Sequence, residues 1–556
     1  MRMDKSSKKA FFVTTPIYYV NAPLHMGHAY CTIAADTLAR WHRLRGEDVF
    51  FLTGTDEHGA NIVKIAEETG VSPQAWVDDM AAKHQEFNRE LSISNDDFIR
   101  TSEKRHEKVV QEFWRKLKAG KAPDGKPNIY LGEYEGLYCR PCENYFQEAD
   151  LIGGNCPIHG LPVEKLKEEC YFFNLSGYQK FFETFLDEEE KKGANDRFVV
   201  PDVRFNEVAG LVKQGLKDRA ITRTKITWGV PVPDDPKHVV YVWFDAVMNY
   251  VTAAGFNLDQ EMFGRLWPAD MHLIGKEIIW FHALMWPAML KGAGLPLPKK
   301  IAAHGWWTVE GEKISKSRGN AVDPRTFAED VIADRAVRLD SIRYYLMREI
   351  GFGSDGDFSK HRFVERYNAD LANDFGNLAH RTISMAFRYL GGKVRRPRGP
   401  SPWEEFIRNR WKDEGLHGDI KETASGGLTF TQAALVEFMD GPLAVPQFQG
   451  SLCDIWEVIG HGNKYLDTQA PWNKPKEEQE EILGHVLELL EAVSWPLWAF
   501  IPALAARLRE RLGLKDAWPS ARGGEKAERA ALPEVFSLAE GDPLFPRIDT
   551  RKKKQS

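Results

Sequence analysis

Apolar and polar positions fall into three textures along the chain. From Ala10 to about Asn61 the pattern reads strand, loop, helix, strand: "FFVTT", a loop running to Gly27, an amphipathic helix, then "DVFFLTG", which together make a βαβ unit. The helix is expected to begin near His28, with Tyr30, Ile33, Ala34, Leu38, Trp41 and Leu44 along one face and Gly46 as a left-handed stop. The continuous apolar run "VFFL" suits a parallel strand covered on both faces, and the loop "TGTDEHG" follows at its carboxyl end, the edge where such sheets bind ligands. From about Gly132 to His159 the texture changes to Gly, Cys, Tyr and acidic residues in short pieces. The βα rhythm then resumes in "HVVYVWFDAVMNYV" and "DMHLIGKEIIWFHALMWPAML", so an insertion splits the parallel-sheet fold. The stretch "KKIAAHGWWTVEGEKISKSRGN" predicts a strand, a turn at Glu310 and Gly311, and a short second strand ending in a polar, basic loop. From about Arg362 onward helical periodicity dominates and predicts a helix bundle, with no internal repeat.

Length changes this picture little, since 556 residues already imply several domains. The chain lacks the eighteen-residue apolar run a membrane span needs, its longest candidate, "VSWPLWAFIPALAA", being interrupted by Pro496 and Pro502. The amino terminus moves straight into a strand-like run without a cleavable leader, so a cytoplasmic location is expected. A net charge of −6 argues against indiscriminate nucleic-acid binding, and the basic runs "GGKVRRPRGP" and "RKKKQS" read as solvated linkers or frayed ends, although either could serve as a patch. The last ten residues are expected to be disordered.

Three of the six cysteines and one histidine resolve into a pattern: Cys139, Cys142, Cys156 and His159 form CxxC, thirteen residues, then CxxH. Three thiolates and an imidazole suit one tetrahedral structural Zn2+ with no position left open for chemistry, and the ion would stiffen a lobe with little core of its own. A knuckle that no longer binds metal is the alternative. Cys31, Cys170 and Cys453 read as buried small hydrophobes.

The stretch "APLHMGHAY" places His25 and His28 around Gly27. A zinc site is the less suitable reading, because no Cys or carboxylate partner stands nearby. A loop-to-helix junction with a glycine favours instead a phosphate held at a helix amino terminus, with both imidazoles as donors. The loop "KISKS" supplies Lys313, Ser315, Lys316 and Ser317, two lysines and two serines able to reach a polyphosphate. Alone, each motif is weak. In this order, on a split βαβ fold, they resemble the "HIGH" and "KMSKS" elements of the class I aminoacyl-tRNA synthetases, with Ile314 in place of methionine.

Within that class, "TTPIYYVNAPLHMGHAY", "TGTDEHG", "YVWFDA", "IGKEIIWFH", "EKISKSRGN" and "QAPW" resemble the methionyl-tRNA synthetases of bacterial type, over about residues 11 to 510. The insertion, about 110 residues, is too short for the hydrolytic editing domain of the isoleucine, valine or leucine enzymes. The resemblance implies an α/β fold: a Rossmann-type catalytic domain in two halves (1–115 and 226–300) around a connective insertion with the zinc knuckle (116–225). A KMSKS-loop and stem-contact region (301–361), a helical anticodon-binding domain (362–530) and a C-terminal tail (531–556) follow. It also implies activation of L-methionine by ATP with Mg2+ and transfer to tRNA(Met), the initiator included. His25, His28, Lys313 and Lys316 would be catalytic, and Gly27, Gly275, Glu277, Ser315 and Ser317 would join the two histidines and Lys316 around ATP. Ile17, Tyr19, Asp56, Trp243, Ala246, Val247, Tyr250, Ile278 and His282 would hold methionine, Asp56 taking the ammonium. Asn373, Asn377, Arg381 and Trp472 would meet the anticodon; without the resemblance, Asn377 and Arg381 read as a surface helix pair and Trp472 as core. The chain ends without the oligonucleotide-binding domain some relatives append for dimerisation, so a monomer is expected. Two rivals remain: a nucleotidylyltransferase sharing HxGH, and a tRNA-binding regulator that has lost catalysis.

Overall fold

The computed structural model describes residues 9–141, 144–146, 148, 151–309, 312–313, 322–413, 429–516, 518 and 532–549. The chain divides into two compact units, Met1–Leu24 with Asp48–His304, and His25–Glu47 with Gly305–Ser556.

The first unit is built on a six-stranded, wholly parallel sheet. Its strands in chain order are β1 (Phe11–Tyr19), β2 (Val49–Asp56), β3 (Asp97–Arg100), β4 (Val199–Val200), β5 (Met271–Gly275) and β6 (Lys300–His304). They lie in the order β3-β2-β1-β5-β6-β4. The chain winds outward from β1 in one direction and later in the other, so the switch point falls between β1 and β5, where such sheets open a crevice at their carboxyl ends. Val13 pairs with Phe51 on one side and Met271 on the other. The register of β1 against β2 slips between Thr14 and Ile17, at Pro16, whose missing N–H cannot join the ladder. Aromatic and aliphatic side chains from Ala10 to Ala303, among them Phe113, Trp114, Phe244 and Trp286, form one continuous core. The insertion is an antiparallel sheet in which Ile129–Cys139 pairs along its length with Glu164–Phe173, flanked by Asn144–Phe146 and Arg219–Ala220.

The second unit is mainly helical. The helices Asn377–Leu390, Phe430–Leu443, Phe448–Gln469 and Lys476–Leu497 pack against one another, as the periodicity after Arg362 predicts. Pro502 opens the helix Pro502–Arg511, and among the described residues no helix is long and apolar enough to cross a membrane. The helix Met26–Leu44, although it lies between β1 and β2 in sequence, groups with this unit and packs on Arg335–Arg348.

Three expectations are corrected. The helix Met26–Leu44 is not amphipathic in practice: Ala29 to Trp41 are all buried. Its charges survive burial because they are paired, Asp36 with Arg40 at 2.7 Å and with Arg343 at 2.6 Å, while Arg343 also donates to the carbonyl of Phe500. Cys453 is exposed, unlike Cys31 and Cys170, because its position on Phe448–Gln469 faces away from the packed side. The last ten residues do not begin disordered: Ile548 is buried and exchanges two hydrogen bonds with the Asn368 side chain. Residues 550–556 lie outside the described part. The basic run near Arg395 contributes a strand, Lys393–Arg395, paired with Val535–Ser537.

Candidate active site

The parallel sheet brings the expected methionine residues to its carboxyl edge. Ile17 and Tyr19 end β1, Asp56 ends β2, and Gly275 ends β5, after which Lys276–Ile278 turns as a 3-10 helix. Asp56 is buried and its carbonyl accepts from Val20 N–H at 3.2 Å. The short helix Val242–Ala246 carries half-buried Trp243 and buried Ala246, followed by buried Val247. Trp243 stacks on Phe281 with ring centroids 4.5 Å apart, a partner the sequence reading did not name. Its signal is in "IIWFH", where two aromatics precede a histidine.

His282 lies in a π-helical turn, Phe281–Met285, an irregularity that commonly marks a functional position. Its Nδ1 donates to the Ile278 carbonyl at 3.1 Å, so Nε2 accepts from the Tyr250 hydroxyl at 2.8 Å. Burial lowers its pKa to about 4. The ring is therefore neutral at pH 7 and offers an uncharged wall. Tyr250 also stacks on His272 at 4.1 Å, whose pKa burial holds well below the ordinary value. Glu277 is exposed, and its carboxylate folds back over Gly275: a Cβ on that glycine would lie 2.4 Å from Glu277 Oε1.

In the second unit, His25 caps the helix Met26–Leu44, which thus starts slightly before the expected His28. The two histidines form a reciprocal box: Gly27 N–H donates to His25 Nδ1 at 3.1 Å, and His25 N–H donates to His28 Nδ1 at 3.1 Å. A nitrogen that accepts carries no proton, so both rings are fixed as the tautomer with the proton on Nε2. Two ring N–H donors at a helix amino terminus suit phosphate oxygens. The ring centroids are 3.9 Å apart. A Cβ on Gly27 would come within 3.0 Å of the His25 ring, so any larger residue disturbs the box itself.

Chain flanking the lysine loop belongs to the same unit. Trp307–Val309 and Glu312–Lys313 pair as antiparallel strands, the turn expected at Glu310 and Gly311 lying outside the described residues, and Met26 N–H donates to the carbonyl of Val322 at 2.8 Å. Ser315, Lys316 and Ser317, and the side chain of Lys313, lie outside the described residues.

In the knuckle, Cys139 Sγ and Cys156 Sγ lie 4.0 and 3.9 Å from His159 Nδ1, and the three ligand atoms fall within 4.8 Å of one another. Tetrahedral bonds of about 2.3 Å to sulfur and about 2.0 Å to nitrogen span such separations, so the donor set fits Zn2+. Cys142 lies outside the described residues.

Among the anticodon candidates, Asn373 lies within a π-helical stretch, Tyr367–Gly376, that runs into Asn377–Leu390, and Asn373 and Asn377 are exposed. Arg381 pairs with Asp467 at 2.7 Å, five residues before Trp472. Trp472 is 44% exposed in a turn, Pro471–Asn473, and so is not a core residue.

Comparison with known proteins points to one family. The model of the family "tRNA synthetases class I (M)" matches residues 11–165 and 148–383. The methionine–tRNA ligase of Caldanaerobacter subterraneus subsp. tengcongensis is 41% identical over 555 residues, covering 98% of this chain and 80% of its own. That of Thermotoga maritima is 42% identical over 551 residues, covering 98% and 81%. Mycobacterium tuberculosis methionyl-tRNA synthetase in complex with methionyl-adenylate superimposes with a TM-score of 0.81 at 37% identity, over 97% of this chain and 100% of that one. Fold, paired motifs and likeness along almost the whole length agree: the chain belongs to the class I methionyl-tRNA synthetases.

Proposed function

We propose that the protein is a methionine–tRNA ligase that activates L-methionine with ATP and Mg2+ to methionyl-adenylate and passes the aminoacyl group to tRNA(Met), initiator included. A methionine carboxylate oxygen attacks the α-phosphorus in line, the bond to the bridging oxygen breaks, and pyrophosphate leaves with the electron pair. No covalent enzyme intermediate is required. The observation that carries this reading is the reciprocal histidine box, which puts the proton of each ring on Nε2 at a helix amino terminus.

In this reading His25 and His28 donate to the phosphates, and Gly27 and Gly275 let the nucleotide approach the backbone. Glu277 takes the ribose, and Lys313 and Lys316, with Ser315 and Ser317, neutralise the departing pyrophosphate. Asp56 holds the ammonium of methionine. Ile17, Tyr19, Trp243, Ala246, Val247, Tyr250, Ile278 and His282 enclose its thioether, which gains from aromatic edges and from a wall that stays uncharged. Cys139, Cys142, Cys156 and His159 would hold one Zn2+, which supplies rigidity to the inserted lobe. Asn373, Asn377, Arg381 and Trp472 read unpaired anticodon bases. Every one of these groups comes from one chain, so a monomer suffices, and the task places the protein in the cytoplasm with translation.

Amino-acid-dependent exchange between pyrophosphate and ATP tests the reading. With all twenty amino acids compared, methionine should support exchange with a kcat/KM at least about 100-fold above any other, since a fitted pocket discriminates by at least that factor. Equal exchange with leucine or isoleucine removes the pocket assignment.

A further inference from the structure

The first unit contains a buried polar constellation that none of these roles uses. Asp245, on the helix Val242–Ala246, is completely buried, and its two oxygens are engaged separately. Oδ2 accepts from Nδ1 of His58 at 2.6 Å, and Oδ1 accepts from Nε2 of His106 at 2.7 Å. The Thr252 hydroxyl lies 3.0 Å from the Met248 carbonyl and 3.0 Å from His106 Nδ1. Burial alone would raise the Asp245 carboxyl, yet the two imidazoles outweigh it and hold the group down at about 2. So costly an arrangement is a poor way to stabilise a core, which apolar residues of equal volume would do as well.

Its position explains it better. His58 is two residues past Asp56, in the loop leaving β2. Glu57, between them, is fastened to other elements: its carboxylate accepts from Arg100 at 2.8 and 3.0 Å, from Thr55 at 2.6 Å and from Ser102. Its N–H donates to Thr101 Oγ1 at 2.9 Å, and its carbonyl accepts from Trp228 Nε1 at 2.6 Å. The residues that follow Asp56 are thus held by buried charged bonds, and His58 is joined to the very helix that carries Trp243 and Ala246. A loop at a strand end is ordinarily the mobile part of such a fold.

We propose that Asp245 is a positioning residue for methionine: through His58 it holds Asp56 at a fixed separation from the Trp243 and Ala246 wall, so that ammonium and thioether are recognised together. This rests on the assignment of Asp56 to the ammonium. It makes Asp245 and His58 determinants of methionine binding without contact to the substrate.

The test is steady-state exchange kinetics on the full-length protein for Asp56→Asn, Asp245→Asn, His58→Asn and the double variant Asp56→Asn/Asp245→Asn. Asp245→Asn should raise the methionine KM about tenfold or more while the ATP KM stays within twofold, because misplacing a recognition group by an ångström has effects of that order. His58→Asn, which leaves the His106 bond in place, should do the same and serves if Asp245→Asn does not fold. The double variant should be no worse than Asp56→Asn alone, since both act on one contact. Multiplicative losses, equal increases in both KM values, or methionine KM values within twofold for both single variants overturn the proposal. If Asp56→Asn itself leaves the methionine KM unchanged, the ammonium assignment fails, and the inference with it, a failure recognised from that variant alone.

Discussion

The proposed methionine site in the first unit and the proposed anticodon residues in the second are built on opposite terms. Asp56, Ala246, Val247, Tyr250 and His282 are buried, held by hydrogen bonds and stacked rings. Asn373, Asn377 and Trp472 stand in solvent on helices and a turn. The difference follows from the size of what is recognised. A small thioether has few atoms, so the protein must supply a desolvated, preformed enclosure. An RNA loop brings its own bulk and covers exposed side chains as it binds, and each stacked base repays the contact separately.

That contrast can be broken by variants that mix the two behaviours. The largest effect is expected from His28→Ala, which removes a phosphate donor and half of the helix cap. Methionine-dependent exchange should fall about 100- to 1,000-fold, as loss of a single transition-state donor does elsewhere. Near-normal exchange would mean that the histidine box is only a cap. Trp472→Ala should lower kcat/KM for tRNA about 10- to 100-fold in aminoacylation, the equivalent of one lost stacking partner, with exchange unaffected. A parallel loss in exchange would erase the division between the two regions.

A smaller effect sharpens the comparison inside the second unit, where a half-buried polar group need not serve recognition. Burial raises the Glu488 carboxyl to about 7, with Arg396 pulling the other way, against an ordinary value of 4.5. The folded state then holds a proton that the unfolded chain has lost, so stability declines as pH rises from about 4.5 to about 7. Glu488→Gln should melt a few degrees above the parent at pH 8 and together with it at pH 4.5, with aminoacylation unchanged at both. A melting difference that does not depend on pH would show that Glu488 does not titrate in this way.

Much of this was legible in the sequence, for identifiable reasons. "VFFL" is a continuous apolar run that fits a buried parallel strand, and β2 is where it stands. The knuckle declared itself by ligand spacing. What stayed hidden depended on pairs far apart in the chain. Asp245 lies 187 residues from His58 and 139 from His106, and in "YVWFDA" it reads as a single polar residue in an apolar run. Trp472 could be core or surface, because composition does not say which way an indole points. The helix Met26–Leu44 looked half-exposed because its charged residues suggest a wet face; only Arg343, about 300 residues on, reveals that the face is buried.

The histidine box also sets a grammar for what can replace its members. Each ring must accept a backbone N–H on one edge and present a donor on the other. Lysine and arginine offer donors alone and aspartate offers acceptors alone, so a substitution that keeps attraction for phosphate unties the helix, and one that keeps the helix repels phosphate. Only a side chain with both faces can occupy either position without choosing between structure and chemistry.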